Sequence, residues 1–539
     1  MKKTHFKAKL VAIGVIFVTI VIGSLVFWRS DDFFQRNIPP NEFTIIRHGI
    51  RPPDNRDYII IAADGVTGVV SPVHSVTEAD RLAAEIIFEP LFKTGRDGLP
   101  IPLLARDFHV PDNNTITVYV NSGIYLSNGE AVTMEQLRRS FSYFSRIGGE
   151  NRFTPYVSRL FGYQEYRMGI ASYISGINID ENERSIIFNF THGGFENTNI
   201  LLVPVIIDGI GTGAFYFSGV EGDSLILSAN NYYHGGTPRL EQIIIRSANV
   251  LSAPLLLSQG AADLYISSFN RSLLEQLYPQ ENLSVGVFDG ERLRYIGFNM
   301  KHPVLSNRNI REALALSSGH REIIYDMFGD FAKIPDIIVP GYMFLAWDVE
   351  SDTNIHDLQR AAELLHEEGF EKNIHGILER EGETLSFVIY APNTEEHLHI
   401  VESIADSWRE LGIDAVGQVV SFAYMRYVME TGGFDMLYLD MAVNPNMNLG
   451  LLTSPNPFLN PFRWENEEAA ELVRDIRALP PEQAMENFNN WLNIYKEEFV
   501  HIHTDKLRRL VFFNPNLQNL DFYNFGSPVW NVSQWYLSH

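Results

Sequence analysis

Period-two alternation marks the first half of the chain, and a strand-helix rhythm marks the second. "YIIIAAD" (58–64) reads as a first strand. In "NTITVYVNSGIYLSNGEAVTMEQLRRSFSYF" (114–144) alternation gives way to a turn at Ser127-Asn128-Gly129, then to a helix capped near Thr133 with Gln136 three residues on. "INIDENERSIIFNF" (177–190) reads as a hairpin with an acidic turn. Beyond 290 the period lengthens to that of helices at 309–328 and 357–370. A series then follows: strand 384–391, helix 395–411, strand 414–421, helix 422–431 and strand 434–441. Strands alternating with helices of that length predict a parallel sheet with right-handed crossovers. The chain thus divides into an early β-rich region and a later α/β lobe.

The N-terminus has a pattern of another kind. Leu10 to Phe27 is apolar throughout, preceded by Lys2, Lys3, Lys7 and Lys9. As a helix this run reaches about 27 Å, against a hydrocarbon core of about 30 Å. Phe27-Trp28-Arg29 put aromatics and a cation where an interface would lie, and the lysines favour a cytoplasmic N-terminus. Everything after Arg29 is then expected outside the cytoplasm. Gly23-Ser24 offers a poor cleavage site, so a cleaved signal stands beside the uncleaved anchor as a reading. Residues 31–56, with "RNIPPNEF" and "RPPDN", read as a linker.

Charge and composition narrow the function classes. The first 30 residues hold five Lys/Arg and no acid; the remainder carries 37 basic and 66 acidic residues, a formal charge of −29. That excess repels nucleic acid and anionic membrane surfaces. The roughly 510 residues beyond the anchor exceed one core and predict two or three domains. The chain has no cysteine, which excludes a lipid-modified signal, thiol catalysis and cysteine-ligated metal.

Signals for chemistry are weak. "GIGTGAFYFSG" (209–219) invites a nucleotide reading, but its glycines lead into Phe215-Tyr216-Phe217, a strand pattern, rather than opening a helix. A tight turn accounts for it. His397 and His399 fall on a helix, where i and i+2 do not share a face. His501 and His503 fall on a strand, where they do, and could supply two metal ligands, but two without a nearby third are a weak signal and partly exposed strand histidines are the better reading. No G-x-S-x-G or H-E-x-x-H occurs, and the carboxylates show no catalytic spacing. No catalytic residue, metal ligand set or cofactor is expected.

Several segments, taken in order, resemble the bacterial extracellular solute-binding proteins of family 5, the oligopeptide-, dipeptide- and nickel-binding subunits of ABC importers. "IIFEPLFKTGRDGLPIPLLARDFHV" is similar to a block with a helix into "EPL", an Asp-Gly turn and "P-x-LA". "TITVYVNSGIYLSNGEAVTMEQLRRSF", "GTGAFYFSGVEGDSLILSANNYYHGGTPRLEQIIIR", "LSQGAADLYI" and "YIGFNMKHPVLSNRNIREALALS" follow the family's order, the last around a pattern "rvR-x-Al". The resemblance runs from about residue 58 to the end.

The resemblance implies an α/β, two-lobed periplasmic-binding-protein-like fold with a hinge and an extra inserted β-rich domain. Residues 1–30 would be the anchor or signal and 31–56 the linker. Domain I would combine 57–85, 205–290 and 500–539; domain II would be the insert 86–204, and domain III the lobe 291–499. Peptides or related small solutes would be held between domains I and III by hinge closure and passed to an ABC permease. The protein would act as a monomer tethered by its N-terminal helix. A sensing receptor on the same fold, or a metal enzyme built on His501 and His503, are the alternatives.

For the ligand contacts, the family's pattern after the last strand is roughly "yD-x-x-x-x-gW-x-aDy". This chain reads "FDMLYLDMAVNPNMNLG", with Asp440-Met441 in place of Gly-Trp and Asn444 where an aspartate pairs with a peptide amine. An asparagine lacks the charge-assisted strength of that pair. The implied ligand-binding set is Asn444, Asp440, Met441 and Asn446, with Tyr342 and Trp347 of "PGYMFLAW", Tyr265, and Val70 of "GVTGVVSPVHS".

Overall fold

Runs rich in Ile, Val and Phe, bounded by Gly, Pro, Asn and Asp, become the strands of one twelve-stranded mixed sheet. The computed structural model describes residues 43–96, 98–146, 151–335, 356–442, 449–479, 481–523 and 526–538. The apolar run Leu10–Phe27 lies outside them. Part of the segment read as a linker is folded: Thr44–Arg47 is a strand paired antiparallel to residues 285–287, and Phe43 packs edge-on against Phe522. Its short "TIIR" run has a sheet edge to join and an aromatic cluster to close over.

In space the strands run Asp414–Val420, Ser386–Pro392, Met436–Ala442, Ser284–Phe298, His501–Phe513, Leu264–Ser268, Tyr58–Ala63, Gln242–Ser247, Ser224–Ala229 and Phe215–Glu221. The first three are mutually parallel, joined through the helices Glu395–Leu411 and Phe422–Thr431, as the strand-helix rhythm predicts. The wider sheet departs from that expectation. Met436–Ala442 pairs antiparallel with Ser284–Phe298, which pairs antiparallel with His501–Phe513. Parallel pairing returns only around Tyr58–Ala63.

The two long strands join the halves of the sheet. Ser284 to Asp289 pair with Phe513 to Arg508; the ladder then breaks and resumes at Leu293 opposite Lys506. Gly290 sits in the break. A Cβ there would lie 2.3 Å from the Leu507 carbonyl oxygen, so the close backbone approach requires glycine. Beyond the break, residues 292–298 gain Met436–Ala442 as their second neighbour.

Both faces of the sheet are covered. Ile59, Ile61 and Ala63 enter a first apolar cluster with the helix Glu78–Ile87. The alternate residues Ile60 and Ala62 enter a second, shared with the helices Arg308–Leu316, Leu358–Glu367 and Glu395–Leu411. A third, around Leu437, Phe462, Trp464 and Trp491, backs the other side of Met436–Ala442. A separate four-stranded antiparallel sheet is formed by Ala105–Asp112, Thr115–Val120, Ser185–Asn189 and Ile177–Asp180.

Local chemistry explains the helix ends. Thr133 and Gln136 form a reciprocal capping box before Met134–Arg146: the Thr133 N–H donates to Gln136 Oε1 at 2.9 Å, and the Gln136 N–H to Thr133 Oγ1 at 3.2 Å. The helix expected over 309–328 is instead two, Arg308–Leu316 and His320–Phe328. Ser317 Oγ donates back to the Ala313 carbonyl at 2.6 Å and Ser318 Oγ to that of Ala315 at 2.9 Å, while Gly319 takes φ 59°. Hydroxyls that compete for helix carbonyls, followed by a left-handed glycine, break the run.

Two imidazoles, His320 buried and His501 half-buried, couple stability to pH. Burial, with Arg321 and His503 nearby, pushes His320 down to about 3. Burial and His503 push His501 well below its ordinary value. Unfolded histidine titrates near pH 6.5, so below that pH the unfolded chain binds more protons than the folded one. Stability is complete above about pH 7.5 and is expected to fall by about 1.4 kcal/mol per pH unit from His320 between roughly pH 6 and pH 5, with His501 adding in the same direction. Urea titrations across that range would read it, and His320→Asn should remove about 1.4 kcal/mol per pH unit of the slope. Midpoints that do not move with pH would contradict the assignment.

Candidate functional site

Thr77 caps the helix Glu78–Ile87, its side chain accepting from the Asp80 N–H. Glu78, Arg81, Leu82 and Glu85, spaced i, i+3, i+4 and i+7, share one face of that helix and line a cavity of about 530 Å³. Ala79, Ala83, Ile86 and Ile87 hold the helix to the first apolar cluster. The glycines of the 209–219 segment seat its C-terminal end. A Cβ on Gly211 or Gly213 would come within 2.0 Å of the Ile87 or Ile86 carbonyl oxygen, and the Gly213 N–H donates to Ile87 at 2.9 Å. That segment serves backbone contact, then enters the strand Phe215–Glu221.

The cavity takes walls from both halves of the sheet. Helix Glu78–Ile87, Arg152, Ser268-Phe269, Arg508-Arg509 and Ser527 form one; Arg292, Arg294, Glu396, His397 and Asp440 form the other, with Gly290 between them. Arg292 donates through Nε to Asp440 Oδ1 at 2.8 Å and through a terminal nitrogen to the Asp440 carbonyl at 3.1 Å. Arg294 is buried; its Nε donates to fully buried Asp505 at 2.7 Å and it also pairs with Glu396. Glu85 lies 3.6 Å from Arg152 and accepts from Ser527 Oγ at 2.6 Å, and Glu78 lies 4.0 Å from Arg509. Each of the four carboxylates in the lining therefore faces an arginine.

Buried charge continues behind the break in the long strands. Lys333 Nζ donates to Asp289 Oδ2 at 2.6 Å, and Arg508 Nε lies 3.7 Å from Asp289 Oδ1. Burial would raise the Asp289 carboxyl, but the Lys333 ammonium, with Lys506 and Arg508, holds it below its usual value. Burial pushes Lys333 and Arg508 down. Burial, with the Arg294 charge close by, also lowers His397, leaving its imidazole neutral at pH 7. These are matched charges around a polar cleft, suited to holding a charged solute by exchange of partners.

Of the expected ligand contacts, Asp440 lines the cavity. Met441 packs against the third apolar cluster. Tyr265 is buried in the second cluster and Val70 is half-buried against the first; neither lines the cavity. The loop carrying Val70 is pinned by buried Asp80, which accepts from Thr67, Gly68 and Thr77. Asn444, Asn446, Tyr342 and Trp347 lie outside the described residues. The arginines of the cleft are absent from the expected set. Part of their signal is present in "ERLRY", where Arg292 and Arg294 stand at alternate positions of a strand and so share a face.

The strand histidines are less exposed than their pattern implies. His503 is buried and His501 half-buried, and the Tyr495 hydroxyl bridges them, 2.7 Å from His501 Nδ1 and 2.9 Å from His503 Nε2. Aromatic packing from Tyr295 and Phe462 closes over His501. Among the described residues no group of three or more His, Asp or Glu side chains is placed to hold a metal ion.

The family model for bacterial extracellular solute-binding proteins, family 5, matches residues 100–456. The oligopeptide-binding protein AppA of Bacillus subtilis is 23% identical over 362 residues, 61% of this chain and 62% of that protein. The oligopeptide-binding protein OppA of Lactococcus lactis is 23% identical over 353 residues, 56% and 58% of the two. The alignments thus span less than two thirds of these relatives' length. Among solved structures, the periplasmic murein tripeptide binding protein MppA in its unliganded open form superposes with a TM-score of 0.75 at 16% identity, covering 93% of this chain and 99% of that one. NikZ from Campylobacter jejuni, in complex with Ni(L-His), superposes with a TM-score of 0.70 at 16% identity, covering 89% and 100%. They share the two-lobed α/β fold with this chain. The family is one of binding proteins rather than enzymes. Its model covers well over half of the chain, including Arg292, Arg294, Glu396 and Asp440, and on that ground the chain belongs to the bacterial extracellular solute-binding proteins, family 5.

Proposed function

We propose that this protein captures a peptide or related small solute in the cleft and delivers it, outside the cytoplasm, to the permease of an ABC importer. The observation that carries the reading is a cavity walled by both halves of one sheet, which meet at a break in the two strands that join them. A solute touching both walls binds the closed arrangement better than the open one and shifts the population toward it. The three-domain division belongs to the same reading, with 57–85, 205–290 and 500–539 as domain I, 86–204 as domain II and 291–499 as domain III. Asp440 is the member of the expected contact set that we retain on the cavity wall. The apolar run Leu10–Phe27 would hold a monomer near its permease. The protein would have no catalytic activity of its own.

The test is ligand-induced stabilisation of the full-length protein in detergent. A solute present at a hundred times its Kd is expected to add about 2.7 kcal/mol to the unfolding free energy and to raise Tm. A broad panel of peptides and metabolites that leaves Tm unmoved would overturn the reading.

A further inference from the structure

All four carboxylates that line the cleft already face arginines of their own. The surplus charge is cationic, although the whole chain carries a formal charge of −24. Arg81 is the clearest part of it. It lies exposed on the cavity face of the helix Glu78–Ile87, its Nε donates to the Thr77 carbonyl at 3.3 Å, and among the described residues no carboxylate stands within 4.0 Å of it. A guanidinium retains donors for a planar carboxylate, and its fork favours that geometry over a point cation's. On the opposite wall Asp440 is engaged twice by Arg292. To clamp an incoming amine it would have to surrender a charge-assisted bond, so little is gained there.

Building on the reading of this cleft as the solute site, we propose that the solute is an acidic peptide whose carboxylate is seated on Arg81, and that a free peptide amine contributes little to its capture. The source could also be a small polycarboxylate, which offers the same group. The cleft would then select its solutes by their negative charge against the sign of the protein as a whole, and binding would weaken as salt screens the contact.

Calorimetric titration of the full-length protein in detergent tests this with two matched C-terminally amidated peptides, Ala-Glu-Glu-Ala and Ala-Gln-Gln-Ala, each with a free and an acetylated N-terminus. The glutamate peptide is expected to bind at least about tenfold tighter than the glutamine one, and acetylation to change affinity less than about threefold. Arg81→Gln, on the surface of its helix, should erase the glutamate preference and leave the thermal melt of the free protein unchanged. Equal binding of the two peptides, or loss of binding on acetylation, overturns the proposal while the peptide reading stands. If no peptide binds, tricarballylate and its triamide are titrated instead. Binding of the acid alone, lost in Arg81→Gln, upholds the anion site and removes the peptide reading. No response to any carboxylate overturns the proposal.

Discussion

Arg311→Leu is expected to lower the free energy of unfolding by about 3–5 kcal/mol, read as a shift of the urea midpoint at constant m-value. Arg311 is 2% exposed and uses its whole fork. Nε donates to the Glu498 carbonyl at 3.0 Å, one terminal nitrogen to the carbonyls of Leu305 and Ser306 at 3.0 and 2.9 Å, and the other to the Glu498 carbonyl and carboxylate at 2.5 and 2.8 Å. These bonds tie the helix Arg308–Leu316 to the loop before it and to the end of the helix Pro481–Glu497, almost two hundred residues away. Leucine fills the space but removes the partner of three carbonyls, that of Leu305 buried, and of one half-exposed carboxylate. Arg311→Lys should recover only part of the loss, because an ammonium cannot reach four acceptors set for a planar fork. A leucine variant as stable as the parent would mean that water takes over these acceptors. The family's recurring "R-x-Al" pattern is here a structural staple rather than a ligand contact.

The second large effect is expected at the cleft floor. Asp505→Ala leaves the buried Arg294 guanidinium with half-exposed Glu396 as its carboxylate partner, at a cost of about 3–5 kcal/mol. The sign of the companion variant separates pairing from packing. Arg294→Met combined with Asp505→Leu removes both buried charges together and should be less destabilised than Asp505→Ala alone. The double variant would also release Glu396 as a cleft carboxylate without its arginine, and so shift solute preference toward cations. Equal destabilisation of the single and double variants would show that backbone geometry at the break, not the ion pair, holds this region.

What could be read from the sequence was whatever local chemistry decides. The helix Glu395–Leu411 has the predicted bounds, because Thr394 caps one end and Gly412 turns left-handed at the other. The capping box at Thr133 and the acidic hairpin turn are local in the same way. The break at Ser317-Ser318-Gly319 was missed because serine is compatible with a helix by period alone, and its back-bonding decides only once carbonyls are in place. The mixed sheet was missed because pairing between Ser284–Phe298 and His501–Phe513 joins residues some two hundred apart, which no window along the chain contains. The cleft suffered most. Its arginines come from four separated segments and gather only through that pairing, whereas the family resemblance directed attention to the segment around Asp440. Tyr265, one of the set that the resemblance implies, lies on a strand covered on both faces and packs in the second cluster.

The position of His501–Phe513 has a consequence for how the molecule comes to exist. This strand is made some two hundred residues after both of its neighbours, yet it lies between them in the middle of the sheet, flanked by Ser284–Phe298 and Leu264–Ser268. Until it arrives, the strands on either side present two open edges to the solvent, the kind of surface that recruits other chains. Most of the residues needed for each half have already been synthesised by then, but neither half is finished. Contacts of such long sequence separation form slowly. The assembly of this protein therefore waits on the strand His501–Phe513, and a chain that stops short of it is two exposed half-sheets rather than a smaller solute-binding fold.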